Sequence, residues 1–165
     1  MEAIILAGGF GTRLREVVPD LPKPMAPVAG RPFLEILLLS LARKGFRRVV
    51  LSLGYMADTI VAHFGGHCAG IELIYEVEQT PLGTGGALRQ AMLRCIADHV
   101  FVFNGDTYLD VEAQEVEARW QKHRAPIIVA REVHDTARYG RLDIGGGRVL
   151  AFAEKGRKGS GLINA

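Results

Sequence analysis

Short apolar runs alternate along this chain with longer stretches in which apolar residues recur at helical spacing. Ala3-Ile4-Ile5-Leu6, Val49-Val50-Leu51-Ser52-Leu53, Ile71-Glu72-Leu73-Ile74-Tyr75 and Val100-Phe101-Val102-Phe103 have the length and residue types of strands, as does Ile127-Ile128-Val129-Ala130. The first, second and fourth show little polar alternation, which predicts strands buried on both faces. Between them, residues 32–44, 56–64, 84–96 and 111–123 carry the helical period. The first of these, with Phe33, Ile36, Leu37 and Leu41, is apolar enough to need cover on several sides. Strand alternating with helix predicts an α/β chain of βαβ units, with a mostly parallel sheet and right-handed crossovers. After Arg138 the pattern changes. Residues 139–144, the Gly145-Gly146-Gly147 turn and residues 148–153 predict an antiparallel hairpin. No repeat, linker or low-complexity segment interrupts the pattern, so the expectation is one domain over 1–165.

Composition narrows the classes. Of 165 residues, 48% are hydrophobic and 23% charged, which supplies a real core and excludes disorder. A net charge of +2 is too small to suggest wrapping of nucleic acid or adhesion to an anionic membrane. No apolar run approaches the roughly 20 residues of a membrane span, and the start has no basic region ahead of its apolar stretch. Two cysteines, Cys68 and Cys95, are too few for a disulfide framework or a metal site, and they fit a reducing, cytoplasmic setting.

Glycine is abundant, with 20 residues, and it clusters where predicted strands end. In an open parallel sheet, ligands sit at the carboxyl ends of the strands. Three such loops carry candidate chemistry. The first, Leu6-Ala7-Gly8-Gly9-Phe10-Gly11-Thr12-Arg13-Leu14, has small residues that let backbone N–H groups face a phosphate and an arginine to add a forked cation. It is neither a dinucleotide fingerprint, which needs a glycine where Leu14 stands, nor a P-loop, which needs Gly-Lys-Ser/Thr. The second, residues 77–86, is again rich in glycine. The third is Asn104-Gly105-Asp106-Thr107, where Asp106 follows a buried strand and is placed either to ligate a hard cation such as Mg²⁺ or to cap the following helix, a job Asp110 could equally do. Beside these, Leu21-Pro22-Lys23-Pro24-Met25 puts one lysine between two prolines, predicting an extended backbone that aims its ammonium. The chain has 15 arginines and only 5 lysines, so a lysine at a rigid position suggests a need for a compact point charge.

Together, residues 6–14, Pro-Lys-Pro-Met at 22–25, Pro-Leu-Gly-Thr-Gly-Gly-Ala at 81–87, Asn-Gly-Asp at 104–106 and Glu154-Lys155 resemble the sugar-1-phosphate nucleotidyltransferases. The resemblance covers essentially the whole chain, in the family's order and spacing. Arg138-Tyr139-Gly140 and Gly161-Leu162-Ile163-Asn164 add a likeness to the guanylyltransferase branch acting on heptose 1-phosphates.

The resemblance implies a three-layer, Rossmann-like fold of the glycosyltransferase-A kind, with a mostly parallel mixed sheet and helices on both faces. It implies joining of an NTP, GTP by the closest likeness, to a sugar 1-phosphate, with release of pyrophosphate. Leu6, Ala7, Gly8, Gly9, Gly11, Thr12, Gln79, Gly83 and Thr84 would then hold the nucleotide. Arg13 and Lys23 would counter phosphate charge, and Asp106 would ligate Mg²⁺. Asn104, Tyr139, Gly140, Glu154, Lys155 and Asn164 would hold the sugar phosphate. The same motifs suit uridylyl transfer, other sugars such as glucose, mannose or N-acetylmuramate, or a non-catalytic nucleotide-binding module. The likeness also implies a second metal-binding aspartate beyond Glu154-Lys155, where no acid follows here. That predicts a domain lacking its C-terminal part, with the apolar strand 161–164 left as an uncovered edge prone to self-association, and it leaves a homo-oligomer open.

Overall fold

In the computed structural model, residues 1–9, 21–153 and 159–164 are described, and they fall into two units, Met1–Tyr108 and Leu109–Ala165. The first unit is built on β1 (Glu2–Leu6), β2 (Pro27–Val28), β3 (Arg31–Pro32), α1 (Phe33–Arg43), β4 (Arg48–Leu53), α2 (Ala57–Phe64), β5 (His67–Cys68), β6 (Ile71–Val77), α3 (Gly83–Met92) and β7 (Phe101–Asn104). Its main sheet has the order β5-β6-β4-β1-β7. The last four strands run parallel, and only β5 is antiparallel, hairpinned onto β6.

The near-continuous apolar runs do what their pattern requires. Ala3, Ile4, Ile5, Val49, Val50 and Leu51 are all inaccessible, so residues of both parities are buried and the sheet is covered on both faces. One face gathers Ile4, Val50 and Ala91, with Leu6, Ile74, Leu88 and Cys95 packed around them. Elsewhere in the unit, Phe46 stands edge-on to Phe101 and Phe103 at 5.1 and 5.8 Å. Helix α1 buries Leu34, Leu37, Leu38 and Leu41, the i, i+3, i+4, i+7 stripe of an amphipathic helix.

The helix expected over 84–96 stops at Met92. A long-range contact explains the difference. The buried carboxylate of Glu2 accepts the N–H groups of Ile96 (3.1 Å) and Ala97 (2.8 Å) and pairs with Arg48, drawing 93–97 away from the helical path.

The second unit holds α4 (Ala113–His123), β8 (Ala130–Val133), β9 (Arg141–Gly145), β10 (Arg148–Ala153) and β11 (Gly161–Asn164), with the four strands in the order β10-β9-β11-β8. The expected hairpin is present. Gly146 and Gly147 form its two-residue turn with φ of +58° and +74°, a left-handed pair that suits the strand twist and favours glycine. Two expectations are corrected here. The strand predicted at 127–130 lies instead at Ala130–Val133, because β11 pairs with Ala130 through Val133; the polar pair Arg131-Glu132 suits an edge strand and hides it from an apolar count. Strand 161–164 is no edge. It lies between β8 and β9, with Ile163 opposite both Arg131 and Arg141 and buried. The apolar side chains that do stand out in this sheet are Ile144 on β9 and, more fully, Leu150 and Phe152 on the edge strand β10.

Candidate active site

Because β6, β4, β1 and β7 run parallel, their carboxyl ends fall on one side of the sheet. The chain leaves β1 for β4 on one flank and returns to β7 on the other, which makes a topological switch point above β1. Three backbone bonds carry the ladder past the strand ends and gather the loops: Ala7 N–H to Ser52 O, Glu78 N–H to Leu53 O and Gly105 N–H to Leu6 O, each 2.8 Å. A cleft of about 630 Å³ opens there, within the range of ligand sites.

Ten of the residues expected to act on substrate line this cleft. Leu6 ends β1, and Ala7, Gly8 and Gly9 come from the loop after it, while Gln79, Gly83 and Thr84 come from the loop after β6 and the start of α3. Lys23, Asn104 and Asp106 complete the set. Tyr139, Gly140 and Asn164 belong to the second unit, Asn164 on β11 and the other two just before β9. Gly11, Thr12, Arg13, Glu154 and Lys155 lie outside the described residues.

Lys23 is held differently from the extended segment expected of it. Residues Lys23–Met25 form a 3₁₀ turn, closed by Met25 N–H to Pro22 O (2.8 Å), while only Pro22 is extended. Pro24 and Met25 are buried and anchor the turn, which leaves the lysine side chain projecting to solvent. Its ammonium pairs with the Asp106 carboxylate. Burial alone would push the Asp106 carboxyl up; the hydrogen bond and charge of Lys23, joined by the Thr107 hydroxyl at 3.3 Å and a backbone donor, outweigh it and hold the group below its ordinary value. Asp106 is therefore an anion at neutral pH. The capping alternative fails for both aspartates, since α4 begins at Ala113 behind Glu112, with no side-chain cap.

Among the described residues no three His, Cys, Asp or Glu side chains cluster as a metal site. A single ionised carboxylate facing a cleft of this size nevertheless fits a hard divalent cation, which commonly takes one or two carboxylate oxygens and completes its shell from substrate phosphates and water.

Five cleft residues escaped the sequence reading, one of them Thr80 in the loop after β6. Gly54 and Gly8 are packed backbone to backbone: a Cβ on Gly54 would fall 2.7 Å from the Gly8 carbonyl oxygen. Tyr55 follows on the same loop. Glu78 is the only ionisable residue in the 77–86 loop, a signal the sequence did offer. Ser52 is the fifth. Its hydroxyl is fully buried and has no hydrogen-bond partner among the described residues, a state that costs about 1–3 kcal/mol. Ser52→Ala is thus expected to leave the free protein as stable or up to about 1 kcal/mol more stable in urea unfolding. A loss of more than that would show the hydroxyl to be satisfied.

A parallel sheet with a glycine-floored cleft at its switch point, and a lysine and an ionised aspartate paired beside it, defines an α/β enzyme for phosphorylated substrates. Comparison makes this specific. The chain belongs to the nucleotidyl transferase family, whose sequence model matches residues 2–161. It is 42% identical over 165 residues to the D-glycero-α-D-manno-heptose 1-phosphate guanylyltransferase of Aneurinibacillus thermoaerophilus, covering 99% of this chain and 72% of that protein. An enzyme of the same description from Campylobacter jejuni is 37% identical, with 99% and 73% covered. The crystal structure of HddC from Yersinia pseudotuberculosis complexed with GMP-PN superposes with a TM-score of 0.82 at 38% identity, covering 99% of this chain and 73% of that one. The fold is the Rossmann-like, glycosyltransferase-A-like one expected, and the protein is a sugar-1-phosphate nucleotidyltransferase.

Proposed function

We propose that this enzyme transfers a guanylyl group from GTP to D-glycero-α-D-manno-heptose 1-phosphate, releasing pyrophosphate. The observation that carries the chemistry is the Lys23–Asp106 pair beside the glycine-floored cleft. The two relatives of that description, each covering 99% of the chain, support the base and the sugar. Attack of the sugar phosphate oxygen on the α-phosphorus joins two anions, so the protein's task is to neutralise charge and align the partners. Lys23 places one cation where phosphates gather. Asp106 would hold a divalent cation, Mg²⁺ in this reading, which supplies further neutralisation of the phosphate oxygens when bound. Gly8 and Gly9 leave room for close approach of the nucleotide. Arg13 would add charge to the triphosphate, while Asn104, Tyr139, Gly140, Glu154, Lys155 and Asn164 would engage the sugar phosphate. No side-chain nucleophile is required, so Cys68 and Cys95, whose thiols burial pushes up, have no catalytic task.

Pyrophosphate release from each of GTP, ATP, UTP, CTP and dTTP, paired with heptose, mannose, glucose and N-acetylmuramate 1-phosphates, tests the reading. GTP with the heptose phosphate is expected to give the highest kcat/KM. A higher value for any other pairing would replace it.

A further inference from the structure

We propose that Tyr108 is a positioning residue for Asp106: its hydroxyl, held by Ser40 on α1, keeps the Asp106 carboxylate where it meets Lys23 and a phosphate-bound divalent cation. The proposal rests on the reading of Asp106 as the metal ligand and adds what fixes that ligand in place.

The sequence of α1 holds one polar residue that packing does not call for. In Leu37-Leu38-Leu39-Ser40-Leu41, Ser40 is nearly as buried as its leucine neighbours, at 4% exposure. A buried hydroxyl costs stability unless it is hydrogen-bonded, and alanine or leucine would serve a purely apolar face better. The Ser40 Oγ lies 3.4 Å from the Tyr108 hydroxyl, 68 positions along the chain. Tyr108 is 48% exposed, so its ring is only half taken up in packing.

This tie falls beside the carboxylate. Gly105 N–H donates to Leu6 O at 2.8 Å, so with Tyr108 on Ser40 the loop is pinned on both sides of Asp106. A Cβ on Gly105 would fall 2.8 Å from the Ala7 Cβ, which shows how closely the first of these ties draws the chain in. From Gly105 to Glu112 there is no helix or strand, and side-chain contacts must fix the path.

Helix α1 also carries the other member of the pair. It packs against the Lys23–Met25 turn, and Phe33 N–H donates to Ala26 O at 3.0 Å. Phe33 and Ser40 are two turns apart on one face of the helix, about 10 Å. One rigid element therefore sets Lys23 and Asp106 relative to each other, Lys23 through its turn and Asp106 through Tyr108. Removing either hydroxyl frees the Asp106 side alone.

Tyr108→Phe and Ser40→Ala test this, since each deletes one hydroxyl and leaves the packing. With the preferred NTP and sugar phosphate, each is expected to lower kcat about tenfold and to leave both KM values within about twofold. The half-saturating Mn²⁺ concentration should rise about fivefold. It is read without turnover, from water-proton relaxation as Mn²⁺ is titrated into protein and NTP with no sugar phosphate. The double variant should be no worse than either single one, and Tyr108→Phe should cost nothing further in an Asp106→Asn protein, because it acts through that carboxylate. Melting temperatures should stay within about two degrees, as one long contact between neutral hydroxyls contributes little stability. Wild-type kcat and Mn²⁺ affinity in Tyr108→Phe overturn the proposal. So does a lowered melting temperature with unchanged Mn²⁺ affinity, which makes the contact merely structural, and so does a full further loss in the Asp106→Asn protein. If Asp106→Asn binds Mn²⁺ with NTP as tightly as wild type, the metal-site reading itself falls and takes the proposal with it, and this is seen before Tyr108 is changed.

Discussion

Asp106→Asn is expected to lower nucleotidyl transfer by about two to three orders of magnitude while leaving the melting temperature within about two degrees. The side chain keeps its shape, and its amide oxygen can still accept the Thr107 hydroxyl that bonds Asp106 at 3.3 Å. What disappears is the negative charge that the structure keeps ionised beside Lys23. Stability should barely move, because both side chains of the pair are about two-fifths exposed, 41% and 42%, and ion pairs in that setting contribute at most about 1 kcal/mol. Activity should fall because charge neutralisation at the phosphates is the main work asked of the protein. Pyrophosphate release across a series of Mg²⁺ concentrations measures it. An asparagine enzyme with the wild-type rate and the wild-type metal dependence would remove Asp106 from the metal site.

Gly54→Ala should be nearly as damaging, for a steric reason. The new methyl would sit 2.7 Å from the Gly8 carbonyl oxygen and 3.3 Å from its Cα. Both are backbone atoms, so no side chain can swing aside, and one of the two loops must move by the order of an ångström. A displacement of that size at a substrate-binding loop costs about a hundredfold in rate, and the overpacking adds about 1–3 kcal/mol of destabilisation. Nucleotide titration and urea unfolding of the variant would show both effects together. An alanine protein with normal nucleotide affinity would mean that the first loop does not bear on the base or the phosphates.

The contrast between Gly54 and Gly8 shows where sequence reading stops. Gly8 stands in a glycine run after an apolar strand, a local signal that singles out its loop from sequence alone. Its partner Gly54 is a lone glycine after β4, and the contact between them joins loops some forty-six positions apart. The same division runs through the fold. Strands β1, β4, β6 and β7 and helices α1 and α2 were legible because their apolar period is local and strong. The end of α3 was not, since Glu2 draws 93–97 aside from the far end of the chain, and β8 was not, since half of its residues are charged. Lys23 and Asp106 each carry their own sequence signal, one between two prolines and the other after a buried strand. Their pairing became visible only once the sheet set the two loops side by side.

The position of β11 has a consequence for how the second unit is made. β9 and β10 are joined by a two-residue turn and can pair as soon as both have left the ribosome. β8 is different. Its sheet partner is β11, and β9 lies on the far side of that strand, so β8 waits unpaired through nearly thirty residues of synthesis until Gly161–Asn164 arrive to fill the gap. During that interval the strand that lies between β9 and β8 is absent, and both of its future neighbours expose open backbone edges. These four strands therefore close from the outside inward, and β11 is the one that joins β8 to the β9–β10 hairpin.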